Sequence, residues 1–193
     1  MGKIFYGVFT VIMAVIVFLI FYTPYLAFTG DASWLYNPGF SWACHQKISR
    51  SLCMFKDAQG NYFIADCLKQ SGSYIPNDNT IFSAKNEHGE AGYKMPVCAR
   101  DIAIYGAMLI GAIIYPFFRK LEDKSVPAAI FLLLALVPIG IDGTLQLLSE
   151  LGFNILGHYE STNSARIITG AIAGFALPFY IFPLWNYHRN KKK

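Results

Sequence analysis

From Ile4 to Phe28 the chain runs 25 residues without a charge. A helix crosses the roughly 30 Å hydrocarbon core of a bilayer with about 17–25 predominantly apolar residues, so this stretch reads first as a membrane span. Three further apolar runs follow: Ile102–Phe118, Val126–Leu148 and Ile167–Trp185. The second is short and borrows the polar turn Cys98–Asp101 to reach across. The expected spans are about 4–28, 99–118, 126–148 and 165–187, within one membrane domain covering 1–193. The fold class that follows is an all-α, four-transmembrane-helix bundle with a long loop, 29–97, between helices 1 and 2. Only 15% of residues are charged and 54% are hydrophobic, against about 25% charged in a soluble domain. Pro138 and the pair Pro178 and Pro183 fall inside the third and fourth runs, where prolines are tolerated and kink the helix.

Lys and Arg in the short flanks set the orientation. Lys3 precedes the first span, Arg119, Lys120 and Lys124 separate the second from the third, and Arg189 with Lys191–Lys193 follows the fourth. The segment Ser149–Ala165 has neither Lys nor Arg. With four spans, every short basic segment falls on one side. Both termini are then cytoplasmic, loop 29–97 is extracytoplasmic, and the location is a multi-pass cell-membrane protein. Trp185 and Tyr187 suit an inner aromatic belt, and Tyr22, Tyr25, Trp34 and Tyr36 an outer one. A cleaved signal peptide is the rival for the first run, but its apolar core would be about 7–15 residues. No basic patch interleaved with aromatics is present, which argues against nucleic acid as a partner.

The third run carries an acid, in Gly140-Ile141-Asp142-Gly143-Thr144-Leu145-Gln146. A carboxylate at mid-span costs about 2.5–3.5 kcal/mol on the insertion scale and faces a bundle interior or a wet cavity. Asp142 and Gln146 are four residues apart, hence on one helix face. Glu160-Ser161-Thr162-Asn163 leads into the fourth helix, with Ser161 or Thr162 placed to cap it. Asn163, Arg166, Gly170 and Gly174 then share a face, the glycines allowing close helix approach. Cys98, Asp101 and Tyr105 form one stripe on the second helix. The expectation is that Asp101, Asp142, Gln146, Asn163 and Arg166 lie near one depth, with Cys44 and His45 folded over them. The plainer reading makes Asp142–Arg166 a structural ion pair and Gly170/Gly174 mere packing.

Loop 29–97 holds six Lys/Arg and six Asp/Glu, so it is not a charged tail. Ser41–Leu52 reads as a short helix with Cys44, His45, Ile48 and Leu52 on one face. Cys53–Cys67 reads as a hairpin turning at Gln59-Gly60-Asn61, with Cys53 opposite Cys67. Ser71–Gly92, rich in Ser, Asn and Gly, reads as a loop. Four cysteines in an oxidising compartment suggest disulfides. Cys53–Cys67 is the favoured bridge. Cys44 and Cys98 remain as a second bridge, as ligands or as redox-active thiols.

In this order, Cys44-His45-Gln46, Pro96-Val97-Cys98-Ala99-Arg100, Asp142-Gly143-Thr144-Leu145-Gln146 and Glu160-Ser161-Thr162-Asn163 with Arg166 and Gly170 resemble the motifs of an uncharacterised family. Its members are small predicted membrane proteins with a domain of unknown function, found in bacteria and archaea. The likeness runs from Cys44 to about Gly174 and implies no established activity. Where the family commonly has a second cysteine in Cys-Ala-Arg-Cys, this chain has Asp101. Three cysteines and a histidine would suit a closed structural zinc. The set here, Cys44, His45, Cys98 and Asp101, implies a mixed site.

Three functions follow as expectations. The first is a polar, zinc-binding site at the outer membrane face that binds or acts on a small or lipid-linked anionic ligand. Asp142 would act as base or ligand, and Arg166 and Arg100 would hold the anion, with Gln146, Glu160 and Asn163 lining the pocket. The second is thiol–disulfide exchange through Cys44 and Cys98, against which stands the lack of a Cys-x-x-Cys. The third is transport or a structural, accessory role. Four spans are few for a transporter unless it forms a homo-oligomer.

Overall fold

The computed structural model describes residues 2–30, 32–42, 48–67, 83–85, 90–153 and 159–190. Five α-helices and four strands are present in these residues: α1 (Gly2–Thr29), β1 (Leu52–Lys56), β2 (Tyr62–Asp66), β3 (Ser83–Lys85), β4 (Ala91–Lys94), α2 (Ala99–Phe118), α3 (Ala129–Glu150), α4 (Asn163–Ala176) and α5 (Pro178–Asn190). Four helical stretches are long and apolar enough to cross a membrane: α1, α2, α3 and the run Asn163–Arg189 that contains α4 and α5. The chain divides into a helical unit, residues 1–17 and 103–193, and a sheet-bearing unit, residues 18–102.

In the helical unit the fourth span is broken at Leu177, one residue before Pro178. Proline has no N–H to continue the ladder, and Tyr180 and Ile181 restart it by donating to the Leu177 carbonyl. Pro183, by contrast, lies inside α5 without interrupting it. Two glycines set the spacing of neighbouring helices. A Cβ on Gly174 would lie 2.4 Å from the Ile104 carbonyl oxygen, and one on Gly111 would lie 2.8 Å from that of Phe175. Small residues at such points let helix backbones approach in a membrane. Below them Phe182 sits edge-on to Tyr6, Phe9 and Tyr115, and Phe5 stacks on Trp185 at 4.1 Å. The hydroxyls of Thr10 and Thr169 donate to carbonyls four residues back, which satisfies them within their own helices.

The sheet-bearing unit corrects the all-α expectation, for it holds a four-stranded antiparallel sheet in the order β2-β1-β4-β3. The hairpin is where the cysteine spacing suggests, but its register is shifted. Phe55 faces Phe63 and Cys53 faces Ala65. The turn is Ala58-Gln59-Gly60, one residue earlier than expected, because Gly60 takes φ +91° and its N–H donates to Asp57 O. A type I turn closed by a left-handed glycine is the common three-residue hairpin loop. The Asp57 carboxylate accepts from both the side-chain and main-chain N–H groups of Asn61, which hold its pKa below the ordinary 3.8. Cys53 and Cys67 are joined diagonally across the strands, with Cα atoms 5.1 Å apart. They share a buried cluster with Ile48 and Phe55.

Two more expectations for this segment change. Leu52 begins a strand rather than ending a helix, and among the described residues of 41–52 the helical part is the single turn Ile48–Arg50. Ser83–Lys85, within the stretch read as loop, pairs as a strand with Ala91–Lys94, which begins at the end of that stretch. Both are too short to show alternation, and Gly92 lowers strand propensity. Gly92 is needed there: it faces Phe55, whose ring would be 2.3 Å from an added Cβ. Tyr36, expected in an aromatic belt, is buried, and its hydroxyl donates to the Lys94 carbonyl. Burial, with Tyr93 adding to it, pushes the Tyr36 phenol far above its ordinary 10.0.

Candidate functional site

α3 is built inside out. Its apolar residues leave it exposed along most of its length, while its buried residues are Asp142, Gln146 and Ser149. These sit at i, i+4 and i+7, one stripe down the helix. α4 answers with a stripe of its own: Asn163, Arg166, Gly170, Ala173 and Gly174 are its buried residues. Thr162 caps α4 by accepting from the Ala165 N–H, as the Ser161-Thr162 pair suggests.

Arg166 is 1% exposed. One terminal nitrogen of its guanidinium donates to Asn163 Oδ1 and the other to Gln146 Oε1, both at 3.2 Å. Asp142, 5% exposed, accepts from the Tyr159 hydroxyl at 2.8 Å. The Tyr159 main-chain N–H donates to Ser149 Oγ at 2.9 Å. That bond ties the returning chain to α3, and Ser149 lies seven residues, about 10 Å, along the helix from Asp142. The phenol ring spans this interval to reach the acid.

The structure thus brings together four residues singled out in the sequence: Asp142, Gln146, Asn163 and Arg166. Glu160 is exposed. Cys98, Arg100 and Asp101 belong to the sheet-bearing unit and are half-buried. There the Cys98 thiol donates to Asp101 Oδ2 at 3.0 Å, at the start of α2. Cys44 and His45 lie outside the described residues, so the expected zinc set and the Cys44–Cys98 pairing lie outside them too. Among the described residues no group of three or more His, Cys, Asp or Glu is placed to hold a metal. Cys98 and Asp101 offer two donors, half of a tetrahedral shell.

Tyr159 and Ser149 are the members that sequence reasoning missed. Tyr159 stands in a connection, where no periodicity marks a face, directly before the Glu160-Ser161-Thr162-Asn163 motif. Ser149 is visible only by extending the Asp142–Gln146 stripe by one further turn.

The arrangement has a definite chemical capacity. Each amide presents its carbonyl to a cation, and its N–H₂ group is available if the amide rotates. Arg166 offers a planar fork of donors suited to carboxylate or phosphate. The Asp142 carboxylate is held by the Tyr159 hydroxyl, which donates to it.

A family model described as "Predicted membrane protein (DUF2085)" matches residues 90–180, which include every member of this cluster. The chain is 34% identical over 186 residues to the uncharacterized protein MJ1492 of Methanocaldococcus jannaschii, covering 90% of this chain and 91% of that one. No solved structure matches. With four candidate spans and a relative aligned over nearly its whole length, this chain is a multi-pass membrane protein and belongs to the DUF2085 family of predicted membrane proteins.

Proposed function

We propose that the α3–α4 cluster is a binding site for an oxyanion, carried by a small molecule or by the head of a lipid-linked one. Arg166 supplies the positive charge. Gln146 and Asn163 rotate their amides so that N–H₂ groups, rather than carbonyls, meet the anion. Asp142 serves as proton acceptor, with Tyr159 holding it in place when the site is empty. The observation behind this reading is the inverted burial of α3, whose inward stripe is wholly polar.

Cohesion alone is a weak reason for such a stripe. Interhelical hydrogen bonds in membranes average about 0.6 kcal/mol, whereas a mid-span acid costs about 2.5–3.5 kcal/mol. A bundle stabilised only for its own sake gains more from apolar packing at these positions. Titrating purified protein with farnesyl phosphate, farnesol and inorganic phosphate separates the cases. Tighter binding of farnesyl phosphate than farnesol, lost in Arg166→Gln, supports the proposal. Equal binding of farnesyl phosphate and farnesol, with no response to inorganic phosphate, counts against it.

A second reading rests on the 3.0 Å approach of Cys98 Sγ to Asp101 Oδ2. Two donors on one helical turn can serve zinc if Cys44 and His45 complete the shell. Metal analysis of the purified protein and of Cys98→Ser tests it. Stoichiometric zinc lost in the variant supports the reading, and a metal-free protein with normal stability removes it.

A further inference from the structure

The opposite end of the helical unit carries a second feature that the cluster does not use. A cavity of about 870 Å³ runs along the α2–α3 connection from Phe118 to Asp123 and takes in Lys3 from the start of α1. Its charged groups are not equivalent. Asp123 accepts from the Ser125 N–H at 2.9 Å and from Arg119 at 3.1 Å, and Arg119 also donates to the Ser125 carbonyl. These two neutralise each other and fix the loop. Lys3, Lys120 and Glu122 are exposed and have no ion pair among the described residues. Two ammonium groups therefore face one carboxylate, which leaves the cavity with a net positive charge.

The backbone that lines the cavity is held in place. Asn186 donates to the carbonyls of Leu121 and Asp123, and the Tyr180 hydroxyl donates to that of Ala128, so α5 holds both ends of the connection. A site ordered in advance loses less entropy on binding. Its position is also specific. It lies where α1 begins and α2 ends, at the rim of two spans, and Phe117 and Phe118 beside it are 84% and 74% exposed. Charge at the rim with apolar rings next to it matches an amphiphile whose head is anionic.

We propose that this cavity seats the phosphate of an anionic phospholipid, with Lys3 and Lys120 flanking the phosphodiester and the acyl chains lying along Phe118 and the outer face of α2. A zwitterionic lipid presents the same phosphate, but its terminal ammonium meets the two lysines and is repelled. Basic pockets at the ends of spans select anionic headgroups on this principle.

Native mass spectrometry of the full chain in neutral detergent tests the proposal, with dioleoyl phosphatidylglycerol and dioleoyl phosphatidylcholine as competing probes. The expected result is about tenfold preferential retention of the glycerol lipid, falling to near parity in K3Q/K120Q and rising in Glu122→Gln. Raised salt narrows the preference, since the lysines are exposed. Parity in the unaltered protein overturns the proposal, as does an unchanged preference in K3Q/K120Q. Millimolar inorganic phosphate that displaces the lipid at equal concentration also overturns it, assigning the site to free phosphate. Should the double variant unfold, Lys120→Gln and Glu122→Gln must still shift the preference in opposite directions. A preference lost in Arg166→Gln but kept in K3Q/K120Q assigns the lipid to the α3–α4 cluster and overturns the proposal.

Discussion

The two ends of the helical unit use polar side chains in opposite ways. At the α2–α3 end, Asn186, Arg119, Asp123 and Tyr180 bond to main-chain groups of Leu121, Ser125, Asp123 and Ala128. At the α3–α4 end, Arg166 bonds to the side chains of Gln146 and Asn163, and Asp142 to that of Tyr159. A main-chain group cannot turn away as a side chain can, so the first set is committed to holding a loop. Side chains can rotate away and be replaced by a ligand, and under the proposed function the second set does so. The same residue types thus read as scaffold at one end and as site at the other.

The largest stability effect is expected at the committed end. Asn186→Ala leaves two part-buried carbonyls without their donor, and chemical unfolding should show a loss of about 1–3 kcal/mol, at about 0.5–1.5 kcal/mol per hydrogen bond. Binding at the α3–α4 cluster should survive wherever the variant folds. Gly174→Val comes next, because its side chain would meet the Ile104 backbone. Overpacking of this kind costs about 1–3 kcal/mol, read in the same unfolding assay. At the exchangeable end, Asp142→Asn keeps an acceptor for Tyr159. It should cost less stability than Asn186→Ala, since the Tyr159 hydrogen bond is kept, while abolishing any proton transfer the site performs. A larger stability loss there than at Asn186 would reverse the comparison. Tyr115→Phe should be neutral or slightly stabilising, because the buried Tyr115 hydroxyl has no hydrogen-bond partner among the described residues.

The smallest effect is one of pH. The Ser125 N–H, helped by Arg119, holds the Asp123 carboxyl below its ordinary 3.8. A depressed folded-state pKa means stability that is present above pH 3.8 and lost as pH falls through the lowered value. Acidification in that window should loosen the α2–α3 connection, and Ser125→Pro, which removes the N–H, should move the window upward. Hydrogen exchange of the connection measures both.

How much of this was legible in the sequence depends on which force fixed each element. The spans were readable because a membrane accepts so few structures that length and apolarity suffice. The α3 stripe was readable because an acid and an amide at i, i+4 in an apolar run have one sensible direction to face. The Cys53–Cys67 bridge was readable from hairpin spacing, but its register was not, because one glycine at φ +91° decided which residue begins the turn. The strands β3 and β4 were hidden because three or four residues carry too little alternation, and because pairing with β1 supplies what local propensity lacks. Tyr159 was hidden because a residue in a connection is placed by tertiary contact, here the Ser149 hydroxyl and the Asp142 carboxylate.

The central claim is that the Arg166 guanidinium and its two amides can exchange one another for an anion. Isothermal titration of the protein in nanodiscs of zwitterionic lipid with farnesyl phosphate tests it most directly, comparing the unaltered chain with Arg166→Gln. The account predicts binding that weakens about a hundredfold in the variant, two charge-assisted bonds at about 1.5 kcal/mol each being lost. Farnesyl phosphate binding with equal affinity to a folded Arg166→Gln would contradict it.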